Sequence, residues 1–268
     1  MLVDLECAKN LVVEQARQLI NQLIEKRGCE TPPFLPEEFA PLMGIKRIVR
    51  TNLGDTSAVL LKLCDGDIIK VNAHHPPSRQ NFSCAHEVGH ILLSELNIEP
   101  DISDIEFRTF NPQRERTARA RARERLCDIA AGELLMPEMV FNKYLTNHGV
   151  GISTVELLAN IFRVSFQSAA IRIAEVSTKP CIALKWQRQR GKSKALQLAW
   201  PRSKNHYEPV HTPVRYPSAL HKAYESDISV RCRRDFRHGK ETKRLLMESK
   251  GFGRGENRYV ISLAFLDN

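Results

Sequence analysis

The chain has 268 residues, 42% of them hydrophobic and 26% charged; it can bury one large core or two modest ones, which excludes a disordered or fibrous protein. No apolar run approaches the roughly 20 residues that span a bilayer, and the start Met1-Leu2-Val3-Asp4-Leu5-Glu6 lacks the basic-then-apolar pattern of a secretory signal, so a cytoplasmic protein is expected. The net charge of +9 is uneven: residues 181 to 268 hold 19 Lys/Arg against 8 Asp/Glu, a net +11, and residues 1 to 180 hold 21 against 23, a net −2.

In chain order, Leu5, Leu11, Val12, Ala16, Leu19, Ile20, Leu23 and Ile24 predict an amphipathic helix over 4 to 26, stopped by Gly28. Pro36 opens a short helix that Gly44 can end. Two apolar runs, 57 to 63 and 67 to 71, flank Asp65-Gly66 and predict a hairpin, to which 45 to 49 can add a third strand. Helices are expected over 79 to 96 and from beyond Pro112 to Met136, where Pro137 stops the second. Arg114, Arg116, Arg119, Arg121, Arg123 and Arg125 fall all around that second helix, the pattern of a solvated helix end and not of a one-sided binding stripe. Ser153-x-x-Glu156 forms a capping box, with Ile152 and Leu157 placed as a hydrophobic staple. Beyond about 179 the texture turns to strands (181 to 186, 195 to 200, 259 to 265) in a basic, proline-punctuated remainder, which predicts a domain boundary near 178 to 181.

Cys7, Cys29, Cys64, Cys84, Cys127, Cys181 and Cys232 form an odd, scattered set without a C-x-x-C pair, which argues against a disulfide framework or a cysteine zinc knuckle. The chemistry concentrates instead in His86-Glu87-Val88-Gly89-His90. On a helix His86 and His90 lie on one face, close enough for both imidazoles to bind one Zn²⁺, with Glu87 beside them to take a proton from water. Two ordinary helix histidines are the bland alternative, and a third ligand from a separate element would decide against it. Glu124, on the next predicted helix, is the best candidate, and Asp128 at i+4 is placed to accept from a ligating histidine N–H. His74, His75, Arg79, Tyr144 and His148 are the candidate oxyanion partners, although each taken singly reads more simply as a structural or surface residue.

The stretches Arg79-x-x-Phe82-x-x-Ala85-His86-Glu87-Val88-Gly89-His90 and Glu124-x-x-Cys127-Asp128-x-x-Ala131-x-Glu133-Leu134-Leu135-Met136-Pro137 resemble the two signatures of the ImmA/IrrE family of metallopeptidases. Val71-Asn72 before the first signature, and Val164-Ser165 with Arg172 after the second, extend the resemblance over roughly residues 5 to 177. It implies an α+β domain, here a helical zinc-peptidase domain over 1 to 178 with a small N-terminal β-sheet; the basic β-rich region expected over 181 to 268 rests on its strand texture and charge alone. The resemblance further implies Glu124 as third ligand, one zinc or manganese per chain, and cleavage of a helix-turn-helix transcriptional repressor encoded nearby. The second signature usually has an aromatic where Ala130 stands, and nothing in the resemblance covers 181 to 268.

Two other classes compete. Residues 153 to 175 have the cadence of a helix-turn-helix, which with a basic pI suggests a DNA-binding regulator, but only Arg163, Gln167, Arg172 and Lys179 are available nearby to read or hold DNA. A non-catalytic interaction module with a structural metal would have no use for Glu87. In the C-terminal region, Arg231, Arg233, Arg234, Arg237, Lys240, Lys243 and Arg244 crowd fourteen positions, a candidate contact for nucleic acid or an acidic protein surface, set against a solvated basic face.

Overall fold

The computed structural model describes residues 2–100, 112–188, 194–204 and 207–266, the side chains of Leu2 and of 112–116 apart. The chain divides into two compact units, Met1–Val140 with Ile161–Val164, and Phe141–Asn160 with Ser165–Asn268. The architecture is α+β, with a helical unit around a small N-terminal sheet and a β-rich C-terminal region.

In the first unit, β1 (Leu2–Val3) leads into α1 (Leu5–Arg27). The Asp4 carboxylate accepts the Cys7 N–H at 3.0 Å, which caps the helix start, and Gly28 ends it in the left-handed conformation. Ala8, Val12, Ala16, Leu19, Ile20 and Leu23 form its buried stripe. After α2 (Pro36–Phe39) come β2 (Ile45–Thr51), β3 (Ala58–Leu61) and β4 (Asp67–Asn72). The predicted hairpin is β3–β4, turning at Gly66 with φ +121°, and β2 pairs in parallel on the far side of β4, so β3 is left as a sheet edge. The sheet leads into α3 (Pro77–Leu96); β5 (Glu99–Pro100) pairs with β1, and α4 (Pro112–Leu135) packs along α3 and α1. Of the arginines expected around the start of α4, Arg114 and Arg116 lie outside the described side chains.

α5 (Glu138–His148) leads into the second unit, where α6 (Ile152–Ile161) and α7 (Phe166–Val176) precede β6 (Cys181–Arg188) and β7 (Leu196–Arg202). Then come β8 (Glu208–Pro209), α8 (Ala219–Glu225), β9 (Val230–His238), β10 (Glu241–Phe252) and β11 (Tyr259–Phe265). The strands form one antiparallel sheet in the order β7-β6-β11-β10-β9-β8. One face buries Ile182, Leu184, Trp186, Phe236, Leu245, Met247 and Val260 under Leu220, Ala223 and Tyr224 of α8. The approach is close: a Cβ on Gly251 would lie 2.0 Å from the Ala223 carbonyl oxygen, so only glycine fits there. The other face carries α7, with Phe166 against Phe252 at 4.6 Å between ring centroids.

The start of α6 corrects the expected capping box. The helix begins at Ile152, two residues before the Thr154 start that a Ser153 cap requires, and the Ile152 N–H donates to Glu248 Oε2 of β10 at 2.8 Å. Glu156 does not reach back to the cap but pairs with Lys250, and Leu157 stays exposed. A carboxylate supplied by the sheet, aimed at the positive end of the helix, replaces a local hydroxyl.

The C-terminal basic cluster also takes a shape that the sequence did not show. It forms the β9–β10 hairpin and the edge beside it, where Arg231 stands opposite Glu248, Arg244 opposite Asp235 and Arg237 opposite Glu208. Arg231 and Glu248 form an ion pair. Opposite charges across a ladder stabilise it. Arg234 turns to the other face, its guanidinium 5.8 Å from the Trp186 ring, where burial lowers its pKa.

Candidate metal centre

α3 and α4 bring the chemistry together because they touch almost backbone to backbone. A Cβ on Gly89 would lie 3.0 Å from both Cα and O of Cys127 and 3.3 Å from Cβ of Ala130, so the glycine inside His86–His90 sets how close the helices come. Beside that contact, the histidines of α3 face the carboxylates of α4.

His86 and His90, four residues apart, hold their rings 4.9 Å apart between centroids. The Glu124 carboxylate spans them, with Oε2 at 3.2 Å from His86 Nε2 and Oε1 at 3.6 Å from His90 Nε2. The outer nitrogens point elsewhere: His86 Nδ1 is 2.9 Å from Asp128 Oδ1 and His90 Nδ1 is 3.2 Å from Cys127 Sγ. Glu87 turns toward the sheet, where its Oε2 accepts the N–H of Leu60 on the edge strand β3 at 3.1 Å.

This donor set fits a divalent metal. Two ligands held at about 2.0–2.1 Å from a tetrahedral zinc lie roughly 3.3–3.4 Å apart, close to the 3.2 and 3.6 Å between Glu124 and the two Nε2 atoms. Two imidazoles and one carboxylate make the donor set of a catalytic zinc that keeps a fourth position open. Cys127 also comes near, since His86, His90 and Cys127 each offer an atom within 4.8 Å of the others. The sulfur meets the Nδ1 edge of His90, away from the side on which both Nε2 atoms face the Glu124 carboxylate. Burial, with Glu124 and Asp128 adding to it, pushes the Cys127 thiol up to about 12.

Of the oxyanion candidates, His74 and His75 lie in the turn between β4 and α3, which Asn72 organises by accepting the His74 N–H at 3.1 Å. Arg79 donates to Ser57 Oγ at 3.1 Å. Among the described interactions none joins His75 or Arg79 to the His86–His90–Glu124 group, and Tyr144 and His148 belong to the second unit. Sequence reasoning missed Cys127 and the Leu60 N–H. The first was legible as the i+3 neighbour of Glu124 on a face already shared with Asp128; the second depends on which strand forms the sheet edge.

A helix carrying H-E-x-x-H, faced by a carboxylate from the next helix, defines the class of centre found in zinc-dependent peptidases. Residues 46–174, a little under half of the chain, match the family model of peptidase M78, the IrrE N-terminal-like domain. The chain is 33% identical over 117 residues to the radiation response metalloprotease IrrE of Deinococcus radiodurans, covering 43% of this chain and 33% of that one. It is 32% identical over 115 residues to the protein of the same name from Deinococcus deserti, covering 43% and 38%. The chain thus spans little more than a third of the length of these curated relatives. A solved structure described as a Mycobacterium tuberculosis transcriptional regulator matches with a TM-score of 0.61 at 18% identity, over 96% of this chain and 80% of that one, a likeness of fold. No helix among the described residues is long and apolar enough to cross a membrane.

Burial alone would lower the His86 pKa, but the hydrogen bond and charge of Asp128, helped by Glu124 and Glu87, outweigh it and hold the imidazole above its ordinary value. A proton therefore competes with metal for His86, and metal affinity is expected to fall as pH drops through that raised value. Asp128→Asn is expected to weaken metal binding by roughly 10–100-fold at neutral pH. It is also expected to move the acid limb of binding to lower pH, because the group that raised the His86 pKa is gone. Metal titrations across pH read both; an unmoved limb would detach Asp128 from His86.

Proposed function

We propose that the chain is a zinc-dependent endopeptidase that cleaves a helix-turn-helix transcriptional repressor as a regulatory switch in the cytoplasm. The observation that carries this reading is the Glu124 carboxylate lying across His86 Nε2 and His90 Nε2 at zinc-ligand spacing, with Glu87 next to them in the chain. In it, His86, His90 and Glu124 hold the metal, for which zinc suits the nitrogen-rich donor set and manganese is the alternative. A divalent metal bound there supplies Lewis acidity, which acidifies water and polarises a carbonyl at neutral pH.

The chain's own residues then have separable roles. Asp128 accepts the Nδ1–H of His86, which fixes the tautomer that leaves Nε2 free to ligate. The Leu60 N–H holds one oxygen of Glu87, leaving the other to take a proton from the attacking water and deliver it to the departing amine. The names of the relatives, a radiation response metalloprotease and a transcriptional regulator, support a regulatory target over general digestion.

The helix-turn-helix reading of α6 and α7 is less well supported, because the faces that would meet DNA are occupied. Phe166 packs on Phe252, Gln167 is bonded to Lys185, and Glu156 pairs with Lys250. A nucleic-acid contact through 181–268 has less free charge to draw on than the sequence suggested, given the carboxylates opposite Arg231, Arg237 and Arg244. The test is incubation of the zinc-loaded chain with a purified helix-turn-helix repressor encoded beside it. Cleavage is expected, with loss on chelation and recovery on zinc addition; chelator-insensitive cleavage, or an intact repressor, would overturn the reading.

A further inference from the structure

Each histidine of the centre offers a second ring nitrogen, and the two nitrogens have different partners. His86 Nδ1 faces a carboxylate, Asp128, while His90 Nδ1 faces the sulfur of Cys127 at 3.2 Å. We propose that Cys127 is a positioning residue for His90: it accepts the Nδ1–H through its thiol sulfur, keeps Nε2 directed at the metal side, and does not itself ligate. The inference rests on the metal-site reading above and adds a residue to it.

Three observations carry it. First, Glu124, Cys127 and Asp128 occupy positions i, i+3 and i+4 of α4, one helical face, and each meets a different ring nitrogen or pair of nitrogens on α3. The face thus serves the Nε2 atoms through Glu124 and the Nδ1 atoms through Cys127 and Asp128. Second, Cys127 is fully buried while the Glu124 and Asp128 side chains are more than half exposed, so its sulfur is fixed by packing. Third, that packing is directed: the Cys127 backbone lies against Gly89, the residue preceding His90, where a Cβ would already be 3.0 Å away. The helix contact that brings α4 close enough for Glu124 to span the histidines is therefore the same contact that seats the sulfur beside His90.

The role follows from tautomer chemistry. An imidazole that offers Nε2 to a metal carries its proton on Nδ1, and that N–H needs an acceptor that also fixes the ring rotation. Sulfur is a weak acceptor, so Cys127 holds His90 more loosely than Asp128 holds His86. Substitution at 127 is accordingly expected to act at the low end of the outer-shell range, about 10-fold in metal affinity.

The experiment uses the full chain loaded with cobalt(II). In wild type, ligand-field bands are expected without the intense near-ultraviolet band of thiolate-to-cobalt charge transfer. Paramagnetic proton spectra in water should show two exchangeable, strongly shifted imidazole N–H signals, one from each histidine. Cys127→Ala should lose or broaden one of them, assignable to His90, with cobalt affinity down about 10-fold, whereas Cys127→Ser, which keeps an acceptor, should restore much of both. A merely structural cysteine would change thermal stability without touching one N–H signal selectively, and melting of the metal-free variants separates that effect. A charge-transfer band in wild type would make Cys127 a ligand and overturn the proposal. Two unchanged N–H signals with unchanged affinity in Cys127→Ala would overturn it as well while leaving the metal site intact, and failure of wild type to bind cobalt would remove the site and this role together.

Discussion

Glu87→Gln is expected to lower cleavage of a verified substrate by about 10²–10⁴-fold while metal content stays as in wild type. The argument separates Glu87 from the ligands. His86, His90 and Glu124 meet one another at 3.2 and 3.6 Å, whereas Glu87, although adjacent to His86, spends an oxygen on the Leu60 N–H of β3. Glutamine has nearly the same shape, and its carbonyl oxygen can still accept from Leu60, so fold and metal should survive. What it lacks is the basic oxygen that takes up a proton, and the expected loss corresponds to roughly 3–5 kcal/mol of transition-state stabilisation. Single-turnover cleavage, with metal analysis of the same sample, reads both quantities. Wild-type cleavage by the variant would mean that some other group is the base.

Removing one ligand should be as severe on the other axis. His86→Ala, His90→Ala and Glu124→Ala are each expected to take the chain from about one tightly held divalent ion to little or none after gel filtration. Zinc sites bind with about 10–16 kcal/mol shared among four ligands, so one ligand is worth roughly 3 kcal/mol, or a factor of about a hundred. Glu124 is the informative case. Its side chain is more than half exposed, so alanine there creates no cavity and should leave the fold intact, and any loss of metal reports on ligation. Full metal retention in Glu124→Ala would move the third-ligand role to Asp128 or Cys127, the two other groups of α4 within reach of the histidines. The Asp128→Asn pH titration and the cobalt spectrum would then show which.

The two kinds of information divided along a physical line. Elements governed by local periodicity and punctuation were legible in order: α1 up to its Gly28 stop, the β3–β4 hairpin at Gly66, α3 to within two residues of its start, and α4 between Pro112 and Pro137. So were the helical pairing of His86 with His90 and the common face of Glu124 and Asp128, because a 3.6-residue repeat is a short-range property. What depends on contacts between residues distant in the chain was not legible. The capping box at Ser153 is locally sound, but Lys250 and Glu248, about a hundred residues away, engage Glu156 and the Ile152 N–H. The arginines from 231 to 244 read as one basic cluster until pairing set Arg231 against Glu248 and Arg244 against Asp235 and turned Arg234 onto Trp186, since strand register decides which charges meet. At the metal centre the sequence supplied the residue types, and only the approach of α4 to Gly89 decided that Glu124 would face both Nε2 atoms and that Cys127 would stand behind His90. Interhelix distance is set by the smallest side chain at the crossing, and which two residues cross is a tertiary fact.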